Sequence, residues 1–270
     1  MLGSVRRLFL AEMTKVWRTK FPYLGVLSSA LMALVARQSI QEFSQPGSIS
    51  APVYFAASIN LSSTIVIPVF GAIFAAMLVA SETSRGTLRT VLVRPVKRTE
   101  FLSAKLLSGI AYLLILFAAN IIPALLIART YPLQSIDDRD IDIPGLAGQL
   151  RIFTTALALT LLPQIATVCF GFFISVISMN VATAIGVALG ILLSIQPIKE
   201  FINFGDFRLD PLLFSSYYDT AMGIANSKAG GIYELWIQSK TFMLLSTSLV
   251  SSVLFVGLSY WIFSRRDLNY

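Results

Sequence analysis

A chain of 270 residues that is 56% hydrophobic, only 13% charged and has a mean hydropathy of +0.75 is not a soluble domain, in which about 25% of residues are charged. The formal net charge of +7 would suit nucleic acid, but the Lys and Arg residues flank apolar runs, where topology and anionic headgroups account for them. The chain has no histidine, which removes histidine metal sites and histidine general bases, and a single cysteine, Cys169, so no intrachain disulfide can form.

Residues 4–18 come first. Val5, Leu8, Phe9, Met13, Val16 and Trp17 recur at helical spacing, with Arg6, Arg7, Lys15 and Arg18 mostly off that stripe. This predicts an amphipathic helix lying in the membrane interface over residues 1–20. Leu10 and Glu12 fit the stripe imperfectly. The first residues show no cleavable signal peptide, since the first long apolar run starts at Phe21.

A membrane span needs about 20 apolar residues. Six stretches qualify: 21–36, 53–80, 101–128, 152–177, 181–198 and 242–263. The first is short and bounded by Arg37. The second contains Asn60 and Pro68, and the third is expected to break at Pro123. The fourth holds Pro163, Gln164 and Cys169, the fifth has Pro197 near its end, and the sixth ends in Trp261 at the headgroup level. The expected fold is an all-α membrane protein, one transmembrane domain over residues 1–270, with a short cytoplasmic coupling helix between the second and third spans.

Charge sets the orientation. The N-terminus, residues 81–105, the turn at Met179 and Asn180 and the tail from Ser264 hold 13 of the 21 Lys and Arg, against Glu12, Glu82, Glu100 and Asp267. The other side holds the remaining eight against ten acids. The first side is therefore expected in the cytoplasm, with both termini inside a cell membrane crossed several times. Three loops then face outward. Residues 129–151 carry Asp137, Asp138, Asp140 and Asp142, whose alternate carboxylates could ligate Ca²⁺ but lack the EF-hand pattern, so a solvated acidic loop is expected. In the longest, 199–240, Asp210-Pro211 predicts a helix start with Asp at the N-cap, followed by Leu212, Leu213, Phe214, Tyr217 and Tyr218.

Residues 82–105 are the most informative stretch. They hold six of the 21 basic residues, interleaved with apolar ones. A helix is predicted over 87–93, with Leu88, Val91 and Leu92 on one side and Arg85 and Arg89 four apart. Pro95 turns the chain at Arg94, and Thr99 is the expected N-cap of the next helix, with Glu100 in its first turn. The product would be a bent basic surface able to dock in a groove of a cytoplasmic partner. Topology alone leaves the apolar positions in this loop unexplained.

Glu82, then Arg-Gly-Thr-Leu-Arg-Thr-Val-Leu from Arg85, then Arg-Pro-Val-Lys-Arg from Arg94, then Lys-Leu-Leu from Lys105 resembles the signature loop of ABC exporter permeases of the type-2 class. The six-span plan and the amphipathic N-terminal helix are similar to that family across the whole chain. The resemblance implies a membrane subunit that pairs with itself or a related permease and binds a separate cytoplasmic ABC ATPase. ATP and Mg would be bound by that partner and no cofactor or metal by this chain. It further implies an ATPase-coupling role for Glu82, Arg85, Gly86, Thr87, Leu88 and Arg89.

The absences fit that expectation. No Gly-x-x-x-x-Gly-Lys-Ser/Thr loop occurs, so this chain should bind no ATP by that route and is expected not to be an enzyme. Intramembrane proteolysis of the serine type would want a histidine base. The aspartyl type would want paired Asp residues within spans, whereas every Asp here is in a predicted loop or tail. An ion-coupled carrier is the stronger rival, but the predicted span interiors carry Asn60, Asn120, Gln164, Ser and Thr rather than ionisable groups, apart from Lys105 near a membrane edge. Asn60, Ser62, Ser63 and Thr64 are the expected polar contacts of a pathway lined by the first, second and fifth spans, although interhelical hydrogen bonding is the commoner use of such residues. A membrane anchor for a cell-surface assembly is the remaining alternative. The bilayer is the expected environment, and no nucleic acid is expected to bind.

Overall fold

A computed structural model describes residues 2–43, 49–87, 97–133, 145–201, 203–204, 207–208, 210–229 and 235–265. The elements are α1 (Leu2–Val16), α2 (Phe21–Phe43), α3 (Ala51–Leu61), a π-helical turn (Ser62–Val66), α4 (Ile67–Ser84), α5 (Arg98–Ala128), α6 (Leu146–Ile177) and α7 (Val181–Phe201). After α7 come a two-residue antiparallel ribbon, Asn203–Phe204 with Phe207–Arg208, and two 3-10 turns, Asp210–Leu212 and Phe214–Tyr217. Helices α8 (Thr220–Ala229) and α9 (Leu235–Arg265) complete the described fold.

Among the described residues, six helical stretches are long and apolar enough to cross a membrane: Phe21–Glu42, Ala51–Ser84, Arg98–Ala128, Ala147–Ile177, Val181–Lys199 and Ile237–Arg265. The protein is an all-α, multi-pass membrane protein. The second span is α3, the π-turn and α4 run together, and it packs with α6 at the centre of the bundle. Phe74 and Tyr112 pack ring to ring at 4.3 Å, and Ile59, Ile67, Leu113, Leu116 and Phe172 are fully enclosed around them. Helix α9 crosses at the periphery and turns Val250, Val253 and Leu254 outward, an apolar face that lipid chains cover.

The central crossing depends on small side chains. A Cβ on Gly171 of α6 would stand 2.7 Å from the carbonyl oxygen of Ala72 and 2.9 Å from the Ala75 Cβ on α4. Ser175, one turn on, accepts hydrogen bonds from the backbone N–H groups of Val79 and Ala80 at 2.9 Å each. Membrane helices approach this closely only where side chains are small, and dispersion contact then replaces the missing hydrophobic drive.

The helix ends differ from the sequence expectation in four places. The helix of the first span does not stop at Arg37 but runs to Phe43, because an α-helix can leave the membrane without breaking. Pro123 does not interrupt α5, consistent with the tolerance of transmembrane helices for proline. Helix α5 begins at Arg98 after Lys97, so Thr99 lies in the first turn and is not the N-cap. The Glu100 carboxylate accepts from the Lys97 N–H at 3.4 Å. Asp210-Pro211 opens a single 3-10 turn, and the α-helix of that loop starts only at Thr220. The helix predicted over 87–93 and the acidic cluster from Asp137 to Asp142 lie outside the described residues.

Candidate functional site

The second span ends in a built turn. Gly86 has φ +66, a left-handed conformation that side chains disfavour, and it stands at the position just past the helix cap. Its N–H bonds the Thr83 carbonyl at 3.1 Å and the Thr87 N–H bonds the Glu82 carbonyl at 3.1 Å. These are the two bonds of a Schellman ending. They fix the direction in which the chain leaves α4, and Gly86 is required there by backbone geometry.

Glu82, at the base of that turn, is only 4% exposed. One carboxylate oxygen is ion-paired to Lys15 of α1 and lies 3.4 Å from the Lys105 amine of α5, while the other accepts from the Thr87 hydroxyl at 3.0 Å. Lys105 is 1% exposed, also binds Glu12 of α1 at 3.0 Å, and lies 5.0 Å from the Phe101 ring centre. The Arg98 guanidinium donates to the carbonyls of Phe263 and Ser264 at 3.3 and 3.1 Å. One end of the bundle therefore gathers α1, the end of α4, the start of α5 and the end of α9. An open apolar hollow of about 110 Å³ between α1 and α4, bordered by Met77, Leu78 and Arg85, adjoins the cluster.

The cluster brings together Glu82, Arg85, Gly86 and Thr87, whereas Leu88 and Arg89 lie outside the described residues. Sequence reasoning missed Lys15 and Lys105 as partners of Glu82, and Glu12 as a second partner of Lys105. The signal was present: Glu12 interrupts the apolar stripe of α1 because it turns toward Lys105, while Leu10, the other misfit, is 52% exposed. Lys105, expected near a membrane edge, lies in the second turn of α5 and is enclosed.

The expected pathway residues divide into two pairs. Ser62 and Ser63 are fully buried and hold helices together. Ser29 donates to the Leu116 carbonyl at 2.7 Å, so the Ser62 hydroxyl donates to Ser29 at 3.2 Å. The Ser63 hydroxyl is shared between the Asn60 and Tyr218 carbonyls, and the Gln164 amide donates to the Ser63 carbonyl at 2.6 Å. Asn120 similarly donates to the Ser29 carbonyl at 3.0 Å. Gln164 and Asn120 thus serve helix association. Asn60 and Thr64 instead border an open polar cleft of about 520 Å³, at the end of the bundle opposite the Glu82 cluster. Ser62, Ser63 and Thr64 all lie in the π-helical turn, and such turns are frequent at functional sites.

The wall of that cleft is fixed by Tyr217 and Tyr218. The Tyr217 hydroxyl donates to the Pro211 carbonyl at 2.9 Å, and the Thr247 hydroxyl donates to the same carbonyl at 3.2 Å. Thr167 uses its own proton on the Pro163 carbonyl, so Tyr218 is the donor in the 2.6 Å contact between their hydroxyls. Burial pushes both phenols above the usual tyrosine range and keeps them protonated as donors.

Six spans, an N-terminal helix ion-paired beneath them and a capped basic exit from the second span define a polytopic membrane protein with a structured end. The chain belongs to the family described as "Protein of unknown function (DUF2705)", whose model matches residues 26–269. No curated protein matches the chain. Among the described residues, no group of three or more Cys, Asp or Glu is placed to hold a metal ion.

Proposed function

We propose that this chain is the membrane permease subunit of an ATP-driven exporter of the ABC type-2 class. It would lie in the cell membrane with both termini in the cytoplasm and work as a dimer with itself or a related subunit. The observation that carries the reading is the Glu82 cluster. The exit from the second span is a rigid turn whose base is ion-paired to the N-terminal helix and to α5. A push delivered at Arg85, Gly86 and Thr87 by a partner ATPase would not be absorbed in the turn. It would pass through Glu82 to Lys15 and Lys105, and so move α1, α4 and α5 together.

In this reading the partner binds ATP and Mg, and Glu82, Arg85, Gly86, Thr87, Leu88 and Arg89 carry the coupling. Asn60 and Thr64 serve the pathway, while Ser62 and Ser63 shape it through the π-turn. An ion-coupled carrier is the alternative, because Glu82 and Lys105 are ionisable and enclosed. Both lie at one end of the spans and both are paired, whereas carriers place their coupling groups near mid-depth.

Affinity purification in mild detergent from the native host tests the proposal. A soluble ATPase is expected with the wild-type chain and is expected to be lost with Arg85→Glu/Arg89→Glu, two reversals that leave Glu82 and its partners Lys15, Lys105 and Thr87 in place. No ATPase with the wild type, under conditions that preserve the dimer, would remove the reading.

A further inference from the structure

The cleft of about 520 Å³ at the far end of the bundle is lined by two cations, Lys199 and Lys240, and two anions, Asp210 and Asp219. A ligand with one sign of charge would meet two like charges there. An apolar ligand would strip water from all four, and removing charge from water is costly. Lys199 lies 3.5 Å from Asp210 and 3.5 Å from the Ser216 hydroxyl, a partly exposed and therefore weak pairing that a ligand can replace.

A second observation points into the same space. Ser215 borders the cleft, is 4% exposed, and its hydroxyl has no hydrogen-bond partner among the described residues. A buried hydroxyl left in this state is costly, so a ligand group is expected to satisfy it. Asn60 presents its side-chain carbonyl on the facing wall, 3.2 Å from the Thr64 hydroxyl. The volume is in the range of about 300–1,000 Å³ common for small-molecule sites.

The cleft does not end in polar groups. Ile224 of α8 borders it and also borders a mostly apolar groove of about 230 Å³ between α8 and α6, walled by Ile152, Leu159, Ala221 and Ala225 and lined also by the stems of Arg151 and Lys228. A polar head and an apolar chain could therefore be held on either side of one side chain. We infer that the cleft binds a zwitterionic phosphate ester of the phosphoethanolamine type, its ammonium toward Asp210 and Asp219 and its phosphate toward Lys199, Lys240 and the Ser215 hydroxyl. A bilayer lipid or a water-soluble ester can supply this headgroup. The inference requires no ATPase and stands apart from the proposed transport role.

The test uses the purified full chain in detergent micelles. Three probes are titrated: dioctanoyl phosphatidylethanolamine, dioctanoyl phosphatidylglycerol with the same chains but a single charge, and glycerophosphoethanolamine with no chains. The ethanolamine lipid is expected to bind at least about ten-fold tighter than the glycerol lipid, a difference of about 1.4 kcal/mol. Lys199→Gln and Asp219→Asn should each remove most of that preference. If glycerophosphoethanolamine binds as tightly as the lipid, the headgroup chemistry holds and the source is soluble; if it binds only weakly, the source is the bilayer. Equal binding of the two lipids to the wild type, or a preference that survives both substitutions, would overturn the inference. The wild-type comparison decides even if a variant folds poorly.

Discussion

Lys105→Met is expected to destabilise the purified protein by about 3–5 kcal/mol, the usual cost of removing one partner of a buried ion pair. The substitution leaves Glu82 at 4% exposure with its charge opposed only by Lys15, which is itself 46% exposed. The size of the effect distinguishes a structural ion pair from an incidental contact, because an exposed pair is worth about 1 kcal/mol or less. The double substitution Lys105→Met/Glu82→Met should recover more than half of the loss. It leaves only Glu12, 19% exposed, and Lys15, both of which can reach water or each other. Unfolding in mixed micelles of increasing denaturing detergent measures both variants and their coupling. Losses that simply add would show that Glu82 and Lys105 do not act as a pair.

Gly171→Val is the second large effect. A Cβ at this position already stands 2.7 Å from a backbone oxygen on α4, and backbone cannot rotate away as a side chain can. Gly171→Ala alone should cost about 1–3 kcal/mol through overpacking, and valine more, because α4 and α6 must separate. The contrast lies on α7, where a Cβ on Gly186 or Gly190 meets nothing within 4 Å. Gly186→Ala is expected to be neutral or slightly stabilising, since alanine is the better helix former. Equal losses at Gly171 and Gly186 in thermal unfolding would mean that the central crossing is not the close contact described.

The spans were legible in the sequence because a bilayer imposes a length on apolar runs, and all six occur where that length predicts. Their ends were not, because hydropathy marks the membrane boundary rather than the helix end. The helix of the first span continues past Arg37, and α9 starts at Leu235, before the apolar run begins. The π-turn at Ser62–Val66 had no signal, since its five residues are ordinary for a helix and the extra residue is accommodated by contacts from Ser29, Gln164 and Tyr218. Glu82 was legible as a landmark next to a basic loop. Its partners Lys15 and Lys105 were not, because they lie 67 and 23 residues away and only the packing of α1 and α5 against the end of α4 joins them. The cleft was half legible: Asn60 and Thr64 stood out as polar residues in an apolar run. Of the charges opposite them, Asp210 and Asp219 come from the segment of 3-10 turns between α7 and α8, while Lys199 lies near the end of α7 and Lys240 near the start of α9.

Every functional statement about the Glu82 cluster depends on which way that end of the bundle faces. Single cysteines placed by Ser84→Cys at the cluster end and Leu212→Cys at the cleft end, in a Cys169→Ala background, answer this directly. A membrane-impermeant maleimide added to intact protoplasts is expected to label the cysteine at 212 and to reach the one at 84 only after lysis. Labelling of the cysteine at 84 in intact protoplasts would place the basic exit of the second span outside the cell. No cytoplasmic ATPase could then reach it.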